Sequence, residues 1–138
     1  MTTRRTVDIT VDAYDAPGLI AVARERERQR DLGHADEAIP RLAHCYDLSC
    51  LDLDDIRERN DSGDVSCESL LLEEFEEALY EMRGADGGGP LWIQDARLRE
   101  EARVLHLRDA VTELHQLAAL ALRIASKMQR DLGARDST

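Results

Sequence analysis

The sequence predicts an all-α protein, a helical bundle with two long antiparallel helices and a short N-terminal strand or arm. Three observations carry this expectation. Stretches in the second half of the chain repeat apolar residues every three to four positions, the period of a helix with one buried face. Aromatic residues make up only 4% of the 138 residues and hydrophobic residues 43%, so a core must come from Leu, Ala, Val and Ile. That favours helices over a sheet rich in aromatic and β-branched side chains. A glycine-rich run, Gly84–Pro90, separates the two longest periodic stretches. The length suits one domain over 1–138, with an arm at 1–16, a connecting loop at 84–94 and a tail at 132–138.

Each element has its own justification. Residues 6–12 alternate, which puts Val7, Ile9 and Val11 on one face of a strand that needs a partner, or of an extended arm. Pro17 suits the first turn of a helix running to about Leu32 and ending at Gly33. Its second half, Arg24–Arg30, is polar nearly all round, which assigns it to the surface or to an interface. Pro40 is expected to open a short helix with Leu42, Ala43, Cys45 and Tyr46, and residues 51–58 another with Leu51, Leu53 and Ile56. Residues 59–64 read as a loop. Asp64 or Ser66 caps a helix over 66–83, whose Leu71, Leu72, Phe75, Ala78, Leu79 and Met82 face a core. Trp92 and Ile93 are expected to pin the glycine-rich loop to that core. The last helix spans about 95–131. Val104, Leu107, Val111, Leu114, Ala118, Ala121, Leu122 and Ala125 give it a continuous apolar face, widened by Leu117, Leu120 and Ile124. A face that wide predicts a homodimer or larger homo-oligomer.

Charge narrows the partners. The formal net charge of -11 argues against nucleic-acid polymers and anionic membrane surfaces. There is no apolar signal core and no stretch long enough to span a membrane. Three cysteines, few and odd in number, suit a reduced, cytoplasmic compartment.

The chemistry concentrates in Leu71-Leu72-Glu73-Glu74-Phe75-Glu76-Glu77-Ala78-Leu79. Four carboxylates within one helical turn occupy one arc, and like charges three and four apart repel by roughly 0.2–0.5 kcal/mol per pair. A hard divalent cation such as Mg²⁺ would remove that repulsion, because it takes oxygen ligands. A solvated acidic face is the plainer alternative. On the last helix Asp109, Glu113 and Gln116 follow at helical spacing and share one stripe, which Arg123 and Lys127 continue. Packed against the acidic arc, this stripe would bring five or six oxygen ligands together between helices, as metal-binding bundles do. Arg123 and Lys127 would then reach phosphate oxygens. Other patterns carry less. His44, Cys45 and Cys50 lack a second pair at zinc-finger spacing. Gly87-Gly88-Gly89 lacks the Lys-Ser/Thr of a phosphate-binding loop.

These residues resemble a family. Glu73-Glu74-x-x-Glu77 followed by Glu113-x-x-Gln116 is similar to the motif pair of the all-α nucleotide pyrophosphohydrolases related to MazG and the dimeric dUTPases, which read Glu-Glu-x-x-Glu and then Glu-x-x-Asp. A MazG-like group of actinobacteria and their phages resembles the chain further. Its early "ERxRQ" matches Glu25–Gln29, its "LxEExxEAL" matches Leu71–Leu79, and its "ELVQVAAVAV" matches Glu113–Leu122. The likeness covers about residues 22–34 and 66–130. It implies hydrolysis of a nucleoside triphosphate, or a related nucleotide, to a monophosphate and pyrophosphate. It implies Mg²⁺, or Mn²⁺, held by Glu73, Glu74, Glu77 and Glu113 with help from Gln116 and Asp109, and Glu73 as general base. The chain departs from the pattern at Gln116, where active enzymes carry Asp, and at Leu32, where relatives often carry Trp. Its gap between the two motifs is also longer, and residues 1–20 have no counterpart. A different class of function stays open beside this one: a non-enzymatic helical oligomer, of phage origin, used for protein contacts or regulatory ligand binding.

Overall fold

The computed structural model describes residues 5–32, 53–86 and 92–136. The helix expected after Pro40, the Gly33 stop, His44, Cys45, Cys50 and the three consecutive glycines lie outside them. Four helices order the rest: α1 (Ala16–Asp31), α2 (Leu53–Asp61), α3 (Cys67–Ala85) and α4 (Ala96–Asp136). The fold is all-α, and no strand occurs among the described residues. Val7, Ile9 and Val11 belong to an exposed N-terminal arm.

Local chemistry sets each boundary. Asp12 shapes the entry to α1: its carboxylate accepts from Tyr14 N at 2.8 Å and its carbonyl from Asp15 N and Ala16 N. Pro17 then occupies the first turn, where a missing N–H costs nothing. Between α2 and α3, Gly63 turns the chain at a φ of 92°, a conformation that side chains with a Cβ rarely adopt. Ser66, of the two caps the sequence offers, is the one used. Its hydroxyl accepts from Ser69 N at 3.0 Å, and the Ser69 hydroxyl accepts from Ser66 N at 2.8 Å, so both donors are satisfied reciprocally.

The core is the seam between α3 and α4. Cys67, Leu70 and Leu71 pack on Leu120 and Ile124, while Glu81 meets His106 at the other end, so the two helices run antiparallel. Ala78 and Ala110 are buried between these ends, and their small side chains bring the helix axes close. Three sectors divide the circumference of α4. His106, Ala110, Glu113, Leu117, Leu120 and Ile124 recur at alternating steps of four and three and form the sector toward α3. His115, Leu122 and Ser126 lie toward α1. Leu107, Val111, Leu114, Ala118, Ala121, Ala125, Met128 and Leu132 repeat the same steps one residue on, and these residues are exposed. Much of the apolar face read from the sequence therefore lies on the surface of a single chain, beside the seam and not in it.

Other expectations are corrected by packing. The polar half of α1, expected at the surface or at an interface, is buried in part, at Arg26 and Gln29. Trp92 does not pin a loop to the core, being 82% exposed. The last helix, α4, does not end near 131 as expected but continues through Gly133 to Asp136. One helical glycine costs only about 1 kcal/mol relative to alanine, and neighbouring turns outvote it. Gly84 likewise stays inside α3, at a point where a side chain would not fit. A Cβ built there would lie 2.5 Å from His106 Cγ, while His106 Nδ1 is held 2.6 Å from Glu81 Oε2 and Tyr80 packs edge-on against the imidazole.

Gly84→Ala should therefore destabilise the protein, although helix propensity alone favours alanine by about 1 kcal/mol; overpacking typically costs about 1–3 kcal/mol. In a His106→Ala background the sign should invert and Gly84→Ala should stabilise. Urea midpoints for the four proteins of this cycle check the coupling.

Candidate metal centre

Helical phase puts Glu74 and Glu77 of α3 opposite Glu113 of α4. One carboxylate oxygen from each lies within 4.8 Å of the others, and all three residues are half-buried. Anions do not gather so closely without compensation, and two of these carboxyls respond by holding their protons. Burial first, then the charges of Glu77, Glu113, Glu73 and Glu25, raises the Glu74 pKa from 4.5 to about 7. Burial and the charge of Glu77, with a hydrogen bond to Glu77, raise that of Glu113 from 4.5 to about 7. Glu113 thus feels Glu77 across the seam as its strongest neighbouring charge. The buried Oε2 atoms of Glu74 and Glu113 meet no hydrogen-bond donor.

The other residues singled out from sequence divide around this cluster. Glu73 points to α2, accepting from Asn60 Nδ2 at 2.7 Å, with Arg57 Nε 3.9 Å from its other oxygen. Gln116 is half-buried one turn beyond Glu113. Asp109 is exposed one turn before it and acts on Glu113 through its charge. Arg123 and Lys127 stand elsewhere. Arg123 is buried, Lys127 Nζ is 3.0 Å from Asp131, and both bear on the thiol of Cys67 at the start of α3. Seven residues, or about 10 Å of helix, separate Cys67 from Glu74.

Two neighbouring helices supply residues that the sequence reading did not assign to the site. From α2, Arg57 donates to Glu77 Oε1 through Nη2 at 2.9 Å and Nε at 3.3 Å, and its guanidinium pKa is raised chiefly by this hydrogen bond. Asn60 also donates to the Ser69 carbonyl at 3.2 Å, fixing α2 to α3. From α1, the charge of Glu25 bears on Glu74, and Gln29 Nε2 lies 3.5 Å from Glu25 Oε1. The spacing of Arg57 and Asn60, three apart on one short helix, was the available signal. It did not show which face of α3 they would meet.

Such a cluster can trade its protons for a hard cation, because Mg²⁺ takes carboxylate oxygens and neutralises the charge that burial resists. Burial pushes the Cys67 thiol up, so it makes a poor thiolate nucleophile. Set against protein-family models, curated proteins and solved structures, the chain matches none of them.

The raised carboxyls fix a pH dependence. The folded protein binds protons more tightly than the unfolded chain between the ordinary value of 4.5 and about 7. Stability contributed by Glu74 and Glu113 is therefore full below that window and lost as pH rises through it. Urea midpoints without divalent cations should be higher at pH 5 than at pH 8 on this account. Glu74→Gln, which keeps shape and removes the charge, should flatten the profile and exceed wild type at pH 8.

Proposed function

We propose that the chain is a Mg²⁺-dependent nucleotide pyrophosphohydrolase of the MazG-like kind, working as a cytoplasmic homodimer. The observation that supports this reading best is the convergence of Glu74, Glu77 and Glu113 from two facing helices, with their oxygens within 4.8 Å. It joins the two acidic motifs on which the family resemblance rests. Glu74, Glu77 and Glu113 hold the cation in this reading, with Glu73, Gln116 and Asp109 as flanking oxygen donors. Mg²⁺, when bound, would supply Lewis acidity and charge neutralisation for the phosphates. Glu73 takes the proton of the attacking water. That water's oxygen bonds to the α-phosphorus, the bond from that phosphorus to the bridging oxygen breaks, and pyrophosphate leaves with the electron pair. Gln116 carries no charge, so it weakens the centre relative to an aspartate there.

The exposed heptad seam of α4 supports self-association. Leu107, Val111, Leu114, Met128 and Leu132 offer a coiled-coil edge, and Ala118, Ala121 and Ala125 let a second helix approach closely. The same seam favours the second reading, a non-enzymatic oligomer that uses the scaffold for contacts.

A pyrophosphate-release assay across a nucleotide panel with Mg²⁺ separates the two readings. Turnover of at least one nucleotide is expected, together with a melting temperature that rises with Mg²⁺ or Mn²⁺. Glu74→Gln and Glu113→Gln should abolish both effects while leaving the metal-free fold intact, and Gln116→Asp should tighten metal binding. No cation-dependent stabilisation in wild type would leave the oligomer reading. Sedimentation equilibrium at micromolar concentration should give about twice the 15.5 kDa chain mass; a 15.5 kDa species alone would remove the dimer.

A further inference from the structure

We propose that Arg57 is the anion-binding residue of the candidate metal centre, its guanidinium leaving Glu77 for the ligand's phosphate oxygens when a cation takes that carboxylate. The inference rests on the cation-binding reading above, and it replaces Arg123 and Lys127 in the phosphate-binding role.

Charge and position carry it. Arg57 touches the cluster itself, with Nη2 2.9 Å from Glu77 Oε1 and Nε 3.9 Å from Glu73 Oε1. Glu77 cannot serve a guanidinium and a divalent cation in full at once, since each draws on the same negative charge. Two cations sharing one carboxylate repel unless an anion enters between them. A phosphate is that anion, and a guanidinium presents it with a planar fork of N–H donors. The Arg57 side chain is 43% exposed and has room to turn. Its backbone does not move with it: Ile56, beside it, is 1% exposed, and Asn60, one turn on, is tied to Ser69 and Glu73. Arg123 and Lys127 are engaged near Cys67, two turns of α3 away.

Polar atoms around the cluster also point to a ligand. Gln29 is 8% exposed, and its Oε1 has no hydrogen-bond donor. Its amide nitrogen faces Glu25, whose charge acts on Glu74. Buried acceptors without donors are rare in folded proteins, and here Gln29 Oε1 adds to the two Oε2 atoms of Glu74 and Glu113. A hydrated cation carrying a ligand would supply donors to the Oε2 atoms of Glu74 and Glu113.

The test uses opposite signs on one variant. Mn²⁺ titration of the full chain without phosphate should show Arg57→Gln binding about threefold to tenfold more tightly, because a competing cation is gone. Titration of the Mg²⁺-saturated protein with methylenediphosphonate, which is not hydrolysed, should show the same variant binding at least about tenfold more weakly, as loss of a charge-assisted hydrogen bond requires. Arg57→Lys should recover only part of the diphosphonate affinity, since an ammonium lacks the fork. It also carries the anion test if Arg57→Gln folds poorly. Arg97→Gln, on the exposed surface of α4, should match wild type in both titrations. Diphosphonate affinity within about twofold of wild type, or weakened Mn²⁺ binding, in Arg57→Gln would overturn the assignment and leave the metal centre standing. A wild-type chain that takes up no Mn²⁺ would remove both.

Discussion

A two-helix seam is ordinarily closed by apolar side chains, and here half of it is closed by carboxylates. At one end Cys67, Leu70 and Leu71 meet Leu120 and Ile124. At the other, Glu74, Glu77 and Glu81 take the positions that leucines would fill, opposite Glu113 and His106. Everything near this end answers that substitution. Ala78 and Ala110 let the helices close on each other, α2 brings Arg57 and Asn60, and α1 brings Glu25 and Gln29. Apolar burial holds the seam, and the ionisable end contributes less stability than the same volume of leucine would.

Periodicity made the fold legible, and pairing did not. Helix positions followed from apolar spacing, the capping serine and Pro17. Glu113 opposite Glu74 was readable because both sit on strongly periodic helices joined by a break, which leaves antiparallel packing as the simple arrangement. Phase along a single helix is encoded locally. The face of a short helix such as α2 is settled by contacts distant in sequence, so Arg57 and Asn60 went unassigned. The position of Arg123 and Lys127 was hidden for a related reason. They share a stripe with Glu113, but distance along α4 carries them past the site to Cys67. The apolar stripe of α4 was legible as a pattern, but which part of it meets α3 and which part stays exposed on a single chain was not, because the pattern reports a wish for burial without naming the partner.

The three sectors of α4 divide its tasks. One packs on α3 and carries Glu113, one meets α1, and one presents a heptad edge. A helix shared in this way transmits the placement of one sector to the others, because a rotation that improved the heptad edge would turn Glu113 out of register with Glu74. The inner and outer seams are one residue apart at every step, so they cannot be optimised independently.

The C-terminal turns of α4 have a consequence of their own. Ile124 and Lys127 lie level with the first residue of α3, and residues 128–135 run on beyond it with exposed side chains. Fewer than about 12 residues are rarely helical alone in water, so these turns depend on the anchored segment before them together with the polar contacts of Arg130, Gly133, Ala134 and Arg135. Amide protection should then fade along the rod from Ile124 outward, making this end a thermal fuse: the place where the chain first absorbs heat as fraying, before the carboxylate seam opens.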